Sequence, residues 1–146
     1  MSNSQPLISL SHLGLLEITG PDSEKFLQGQ LTCDVQALND QRWSLGACCT
    51  AKGRMVANFV IARQGTTFWL RMPREQVPAL RQHLAKYAVF FKATLTDRSE
   101  EWSVLGQLPA AGTQPTLLKE PQTLVESAQG LTLHWPDGRY EFWLPI

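Results

Sequence analysis

The chain has 146 residues, 43% hydrophobic and 18% charged, which is enough for a buried core and too apolar for extended disorder. Its 13 basic and 13 acidic residues cancel, excluding a whole-chain electrostatic pull toward nucleic acid or anionic lipid. Residues 1–5 lack the pattern of a signal peptide, and no run approaches the roughly 20 apolar residues of a membrane span. The expectation is a cytoplasmic protein with no membrane partner. Cys33, Cys48 and Cys49, odd in number and irregular in spacing, read as reduced thiols.

Residues 7–10 and 13–19 are short segments rich in Leu and Ile, read as strands. Gly20-Pro21-Asp22 opens a short helix: Pro suits its first position, and Asp22 and Glu24 suit the positive end of its dipole. Phe26 and Leu27 give that helix a buried side, and Gly29 is a natural stop. Residues 42–50 and 55–63 read as two strands joined by Ala51-Lys52-Gly53-Arg54, with glycine in the turn. Adjacent Cys48 and Cys49 on a strand point to opposite faces, which suits neither one disulfide nor one metal. After Gln64-Gly65, residues 66–72 supply a third strand.

Val77, Leu80, Leu84 and Tyr87 then fall at helical spacing, with Arg81, Gln82 and Lys86 free to face water. Residues 90–96 and 102–106 return as strands, and 108–121 is a loop rich in Pro, Ala, Gly and Thr. Residues 124–126, 131–135 and 140–144 finish as short strands, with Pro136-Asp137-Gly138 turning the last pair. This order predicts an α+β fold. A mostly antiparallel sheet carries two helices on one face, a ferredoxin-like split βαβ core followed by extra short strands.

Self-contained chemistry is absent from the pattern. His12, His83 and His134 are scattered, and none has a second ligand at metal-binding spacing. Phosphate-cradling and dinucleotide-binding glycine patterns are missing, and Ser11, Ser23 and Ser44 lack a nucleophile-elbow context. No metal and no catalytic residue is assigned.

Two segments stand out: Ile18-Thr19-Gly20-Pro21-Asp22-Ser23-Glu24-Lys25-Phe26-Leu27-Gln28-Gly29-Gln30-Leu31-Thr32-Cys33-Asp34-Val35, and Ala51-Lys52-Gly53-Arg54-Met55 running into Val56-Ala57-Asn58-Phe59-Val60-Ile61. Together with Lys86-Tyr87-Ala88-Val89-Phe90, in this order and spacing, they resemble the YgfZ-type members of the glycine-cleavage T-protein superfamily. The resemblance covers residues 7–107 well and 108–146 loosely. It implies that residues 1–146 form an aminomethyltransferase-like folate-binding domain, the N-terminal part of a longer chain. It further implies tetrahydrofolate as cofactor, and a role in iron–sulfur cluster assembly or repair and in tRNA modification. Iron–sulfur proteins or their assembly factors are the implied partners.

Two departures shape what carries over. Ala57 and Asn58 stand where the aminomethyltransferases carry an aspartate pair, so a carboxylate for acid–base chemistry is missing and classical aminomethyl transfer is not expected. The Lys-Gly-Cys-Tyr-Thr-Gly-Gln motif that marks the YgfZ branch does not occur in these residues. A folate site needs an apolar or aromatic slot for the pterin, a few placed polar groups, and a cation for the anionic tail. Lys52 and Arg54 at the turn suit the tail. Asn58 offers both donor and acceptor from a strand interior that disfavours Asn, and Trp69 one strand over offers a stacking face. Two rival readings stay open. One is a one-carbon transferase using a carboxylate elsewhere, such as Asp22 or Asp34. The other is a non-catalytic scaffold docking a cluster-assembly protein or tRNA, although neutral charge counts against direct nucleic-acid binding by this piece.

Overall fold

Two hydrophobic cores, one on each face of the same antiparallel sheet, organise the chain. The computed structural model describes residues 6–39, 41–109, 123–127 and 130–146. The elements run β1 (Ile8–Ser9), β2 (Leu13–Thr19), α1 (Ser23–Gln30), β3 (Trp43–Cys49), β4 (Met55–Gln64) and β5 (Thr67–Pro73). They continue with α2 (Val77–Ala88), β6 (Thr94–Asp97), β7 (Trp102–Gln107), β8 (Thr123–Ser127), β9 (Gly130–His134) and β10 (Tyr140–Pro145).

The central sheet has the order β3-β4-β5-β2-β6, with every neighbouring pair antiparallel. Without β3 this is the split βαβ arrangement expected from the element order: α1 leads from β2 toward β4, and α2 from β5 to β6. β3 is an added edge strand. Strand alternation sends Leu16, Ile18, Ala57, Phe59 and Ile61 toward the helices, where they meet Phe26, Leu27, Leu80 and Leu84. The intervening residues Leu15, Val60, Ala62 and Trp69 face the other way.

That second face is covered by a sheet of order β1-β7-β10-β9-β8. Val104, Leu131, Leu133 and Trp143 fill the space between the sheets. Tilted aromatic pairs reinforce it, Trp43 on Trp135 and Trp69 on Trp102, each with ring centroids 4.4 Å apart. Burying one such side chain stabilises the fold by about 2–3 kcal/mol. Across the same gap Arg71 of β5 makes a bidentate pair with Glu141 of β10, at 2.9 and 2.7 Å. The Glu141 carboxylate also accepts from the Trp143 indole at 3.1 Å.

Three boundaries differ from the sequence reading, each for a local reason. The first strand shrinks to Ile8–Ser9. Its neighbour Leu10 closes a turn by accepting from the Leu13 N–H. Gly29 lies inside α1, which ends at Gln30 because Leu31 turns extended and pairs with Cys48. Residues 90–93 are a corner, and β6 starts at Thr94, because Phe91 folds back to bond Ala88 and pack on Phe26. The extra short strands, read as an appendage, join β1 in a sheet of their own. Of the expected loop at 108–121, residues 110–121 lie outside the described residues.

Candidate functional site on the open face of the hairpin

The β3–β4 turn is tightly made. The Thr50 N–H donates to the Arg54 carbonyl at 2.7 Å, the Gly53 N–H to the Thr50 carbonyl at 2.9 Å, and the Arg54 N–H to Thr50 Oγ1 at 3.2 Å. Gly53 sits at φ +82°, which a residue with a Cβ adopts only with strain. Lys52 and Arg54 both project into solvent from this turn.

Beyond it a bulge shifts the register, so that Cys49 pairs with Met55 and Cys48 with Ala57. Ala57 is buried on the helix side, and Asn58, paired with Ala47, is exposed on the opposite face. Val60 and Ala62 share Asn58's face and lie under the second sheet, but Leu45, paired with Val60, is 57% exposed. The cover therefore stops at Val60. Leu45, Ala47 and Asn58 form an open strip that leads to the Lys52–Arg54 turn, with Asn58 about 13 Å along the strand from Arg54.

Lys52 and Arg54 thus sit together at the turn, and Asn58 lies on the same hairpin four residues further along β4. Trp69 lies elsewhere on the same face, in register with Ala62 and about 13 Å from Asn58 along the strand. It is 3% exposed, packed on Trp102, and its indole N–H donates to Gln64 Oε1 at 3.1 Å. As placed it is a packing residue and presents no open ring face. Leu45 and Ala47 were not singled out in the sequence. The two-residue period of β3 assigns them to Asn58's face only once the register is known.

The alternative carboxylates hold the backbone. Asp22 accepts from the Lys92 N–H at 2.8 Å, and Asp34 from the Ala37 N–H at 3.3 Å in the short 3-10 turn Val35–Ala37. Burial pushes the Cys48 thiol up to about 11, with a smaller contribution from Cys49. Cys33 is also raised, chiefly by burial; its own backbone hydrogen bond opposes this and Asp34 adds to it. Both thiols are therefore protonated and poorly nucleophilic at neutral pH. Among the described residues no cluster of His, Cys, Asp or Glu could hold a metal ion, and no helix is long and apolar enough to cross a membrane.

Known proteins share this architecture. Glycine cleavage system aminomethyltransferase T from Bartonella henselae superposes with a TM-score of 0.70 at 17% identity, over 97% of this chain and 42% of that one. This is a likeness of fold. The tRNA-modifying protein YgfZ of Photorhabdus laumondii is 34% identical over 139 residues, 95% of this chain and 42% of that protein. The tRNA-modifying protein YgfZ of Escherichia coli O157:H7 is 43% identical over 95 residues, 64% of this chain and 29% of its own length. The chain thus spans less than half the length of the relatives it matches. Residues 1–109 match the GCVT N-terminal domain, and the chain accordingly belongs to that family, with YgfZ proteins among its relatives.

Proposed function

We propose that the chain supplies a tetrahydrofolate-binding surface to a YgfZ-type protein acting in tRNA modification and iron–sulfur cluster maintenance, without carrying aminomethyl-transfer chemistry itself. The observation behind this reading is the placement of Ala57 and Asn58. Strand alternation lets only one of the pair face a ligand, and that one is Asn58. Its amide can donate and accept toward a pterin edge, yet has no proton to exchange at neutral pH.

The residues fit a folate in part. Asn58 suits the pterin edge, Leu45 gives an apolar wall, and Lys52 with Arg54 at the far end suits an anionic tail on an elongated ligand. Trp69, enclosed by Trp102, does not supply the stacking slot. When bound, tetrahydrofolate brings the capacity to carry a one-carbon unit; these side chains bind and orient it. Relatives named as tRNA-modifying proteins support the tRNA assignment. Free Cys33, Cys48 and Cys49 agree with a reducing, cytoplasmic setting. Iron–sulfur proteins or their assembly factors are the proposed partners.

Calorimetric titration of the chain with 5-formyltetrahydrofolate tests the reading. Binding is expected, weakened about tenfold by Asn58→Ala, the worth of roughly one to two hydrogen bonds. The Lys52→Ala, Arg54→Ala double variant should weaken it further and flatten its salt dependence. A folded chain that takes up no folate, or whose binding ignores both variants, would refute the proposal.

A further inference from the structure

The segment Lys86-Tyr87-Ala88-Val89-Phe90 carries part of the family resemblance, and Ala88 packs on the core, yet packing does not account for the last two residues. Val89 and Phe90 are 73% and 85% exposed. Their exposure is built in by the residues that follow. Phe91 turns inward, with its ring 5.3 Å from Phe26 and its N–H donating to the Ala88 carbonyl at 2.9 Å. Asp22 then clamps Lys92: its carboxylate accepts from the Lys92 N–H at 2.8 Å, and its own N–H donates to the Lys92 carbonyl at 3.2 Å. Gly20 permits this approach, since a Cβ there would collide with the Lys92 carbonyl. Val89 and Phe90 are therefore held outside the core on a fixed corner, a preorganised apolar pair of the kind that anchors interfaces.

Beside the corner an open groove of about 950 Å³ runs between α2 and the edge strand β6. Ala85, Val89, Ala93 and Leu95 line it, and Arg81 and Lys86 charge its rim. In a chain of zero net charge, residues 77–96 contain Arg81, His83, Lys86 and Lys92 but no Asp or Glu. Arg81 Nε donates to the Leu95 carbonyl at 3.2 Å, which blocks that part of the edge against an added strand.

We propose that this corner and groove dock an acidic amphipathic helical segment of a partner protein. Its apolar side chains lie against Val89, Phe90 and the groove, and its carboxylates face Arg81 and Lys86. The aliphatic lining favours protein side chains, whereas single-stranded nucleic acid binds on successive aromatic platforms. This surface stands independently of the folate reading.

The test is selection from a phage-displayed library of random peptides about 16 residues long, roughly four helical turns. The winners should pair Asp or Glu with apolar residues at three- and four-residue spacing, and should shift the amide resonances of Ala93, Thr94 and Leu95. The Val89→Ser, Phe90→Ser double variant should cost them about tenfold or more in affinity. Lys86→Glu should weaken them as well. Both Val89 and Phe90 are exposed, so circular dichroism should show the double variant folded. Failure to enrich any peptide, basic or uncharged winners, or a footprint elsewhere would overturn the proposal. Winners resembling the C-terminal portions of the longer relatives would reassign the groove to an intramolecular contact. Oligouridine bound at the groove and lost in the double variant would reassign it to RNA; either result overturns the partner reading.

Discussion

Neighbouring residues with opposite fates underlie the proposed site. Ala57 and Asn58 differ by one strand position, and that position separates the helix-side core from open solvent. Cys48 and Cys49 repeat the pattern, one buried and the other exposed, as their adjacency on a strand dictates. The buried thiol has a measurable consequence. Folded Cys48 keeps its proton up to about 11, while the unfolded chain releases it near 9.0. Its contribution to stability is therefore full below pH 9 and lost as pH rises to about 11. Urea denaturation should show a loss on the order of 1–3 kcal/mol across that window, reduced in Cys48→Ala. At neutral pH iodoacetamide should label Cys49 first and Cys48 only on unfolding. The sequence made the cysteine alternation plain because it depends only on local period. It misled at Trp69, whose partner Trp102 arrives from another sheet, so nothing near Trp69 in the chain reports its burial.

Among the elements, the split βαβ core was legible because each piece announces itself: Leu80 and Leu84 repeat at helical spacing, and Gly53 and Gly65 punctuate the turns. The second sheet was not. β1 is two residues long, and its pairing of Ile8 with Gly106 follows no local rule. Beyond apolar packing, side-chain links join the sheets: the Trp43 indole N–H donates to the His134 carbonyl at 3.2 Å, and Arg71 pairs with Glu141, both largely buried. Arg71→Ala or Glu141→Ala strands a charge, and each should cost about 3–5 kcal/mol in denaturant titrations. The paired change Arg71→Met, Glu141→Gln should recover most of that loss, because the glutamine oxygen still accepts from the buried Trp143 indole. A double-mutant cycle with no coupling would mean that the ion pair contributes nothing to holding the sheets together.

At the scale of the molecule, the two surfaces lie at opposite edges of the central sheet. The open strip belongs to β3 and β4, and the groove to β6 and α2, on the far side of β5 and β2. The two proposed surfaces can therefore be occupied together without competing. The proposed folate surface is tested most directly by a resonance-by-resonance footprint of 5-formyltetrahydrofolate on the isotopically labelled chain. Shifts are expected at Leu45, Ala47, Lys52, Arg54 and Asn58, with the Trp69 indole N–H unmoved. Shifts concentrated at Trp69 and Trp102, with the hairpin unchanged, would contradict that surface.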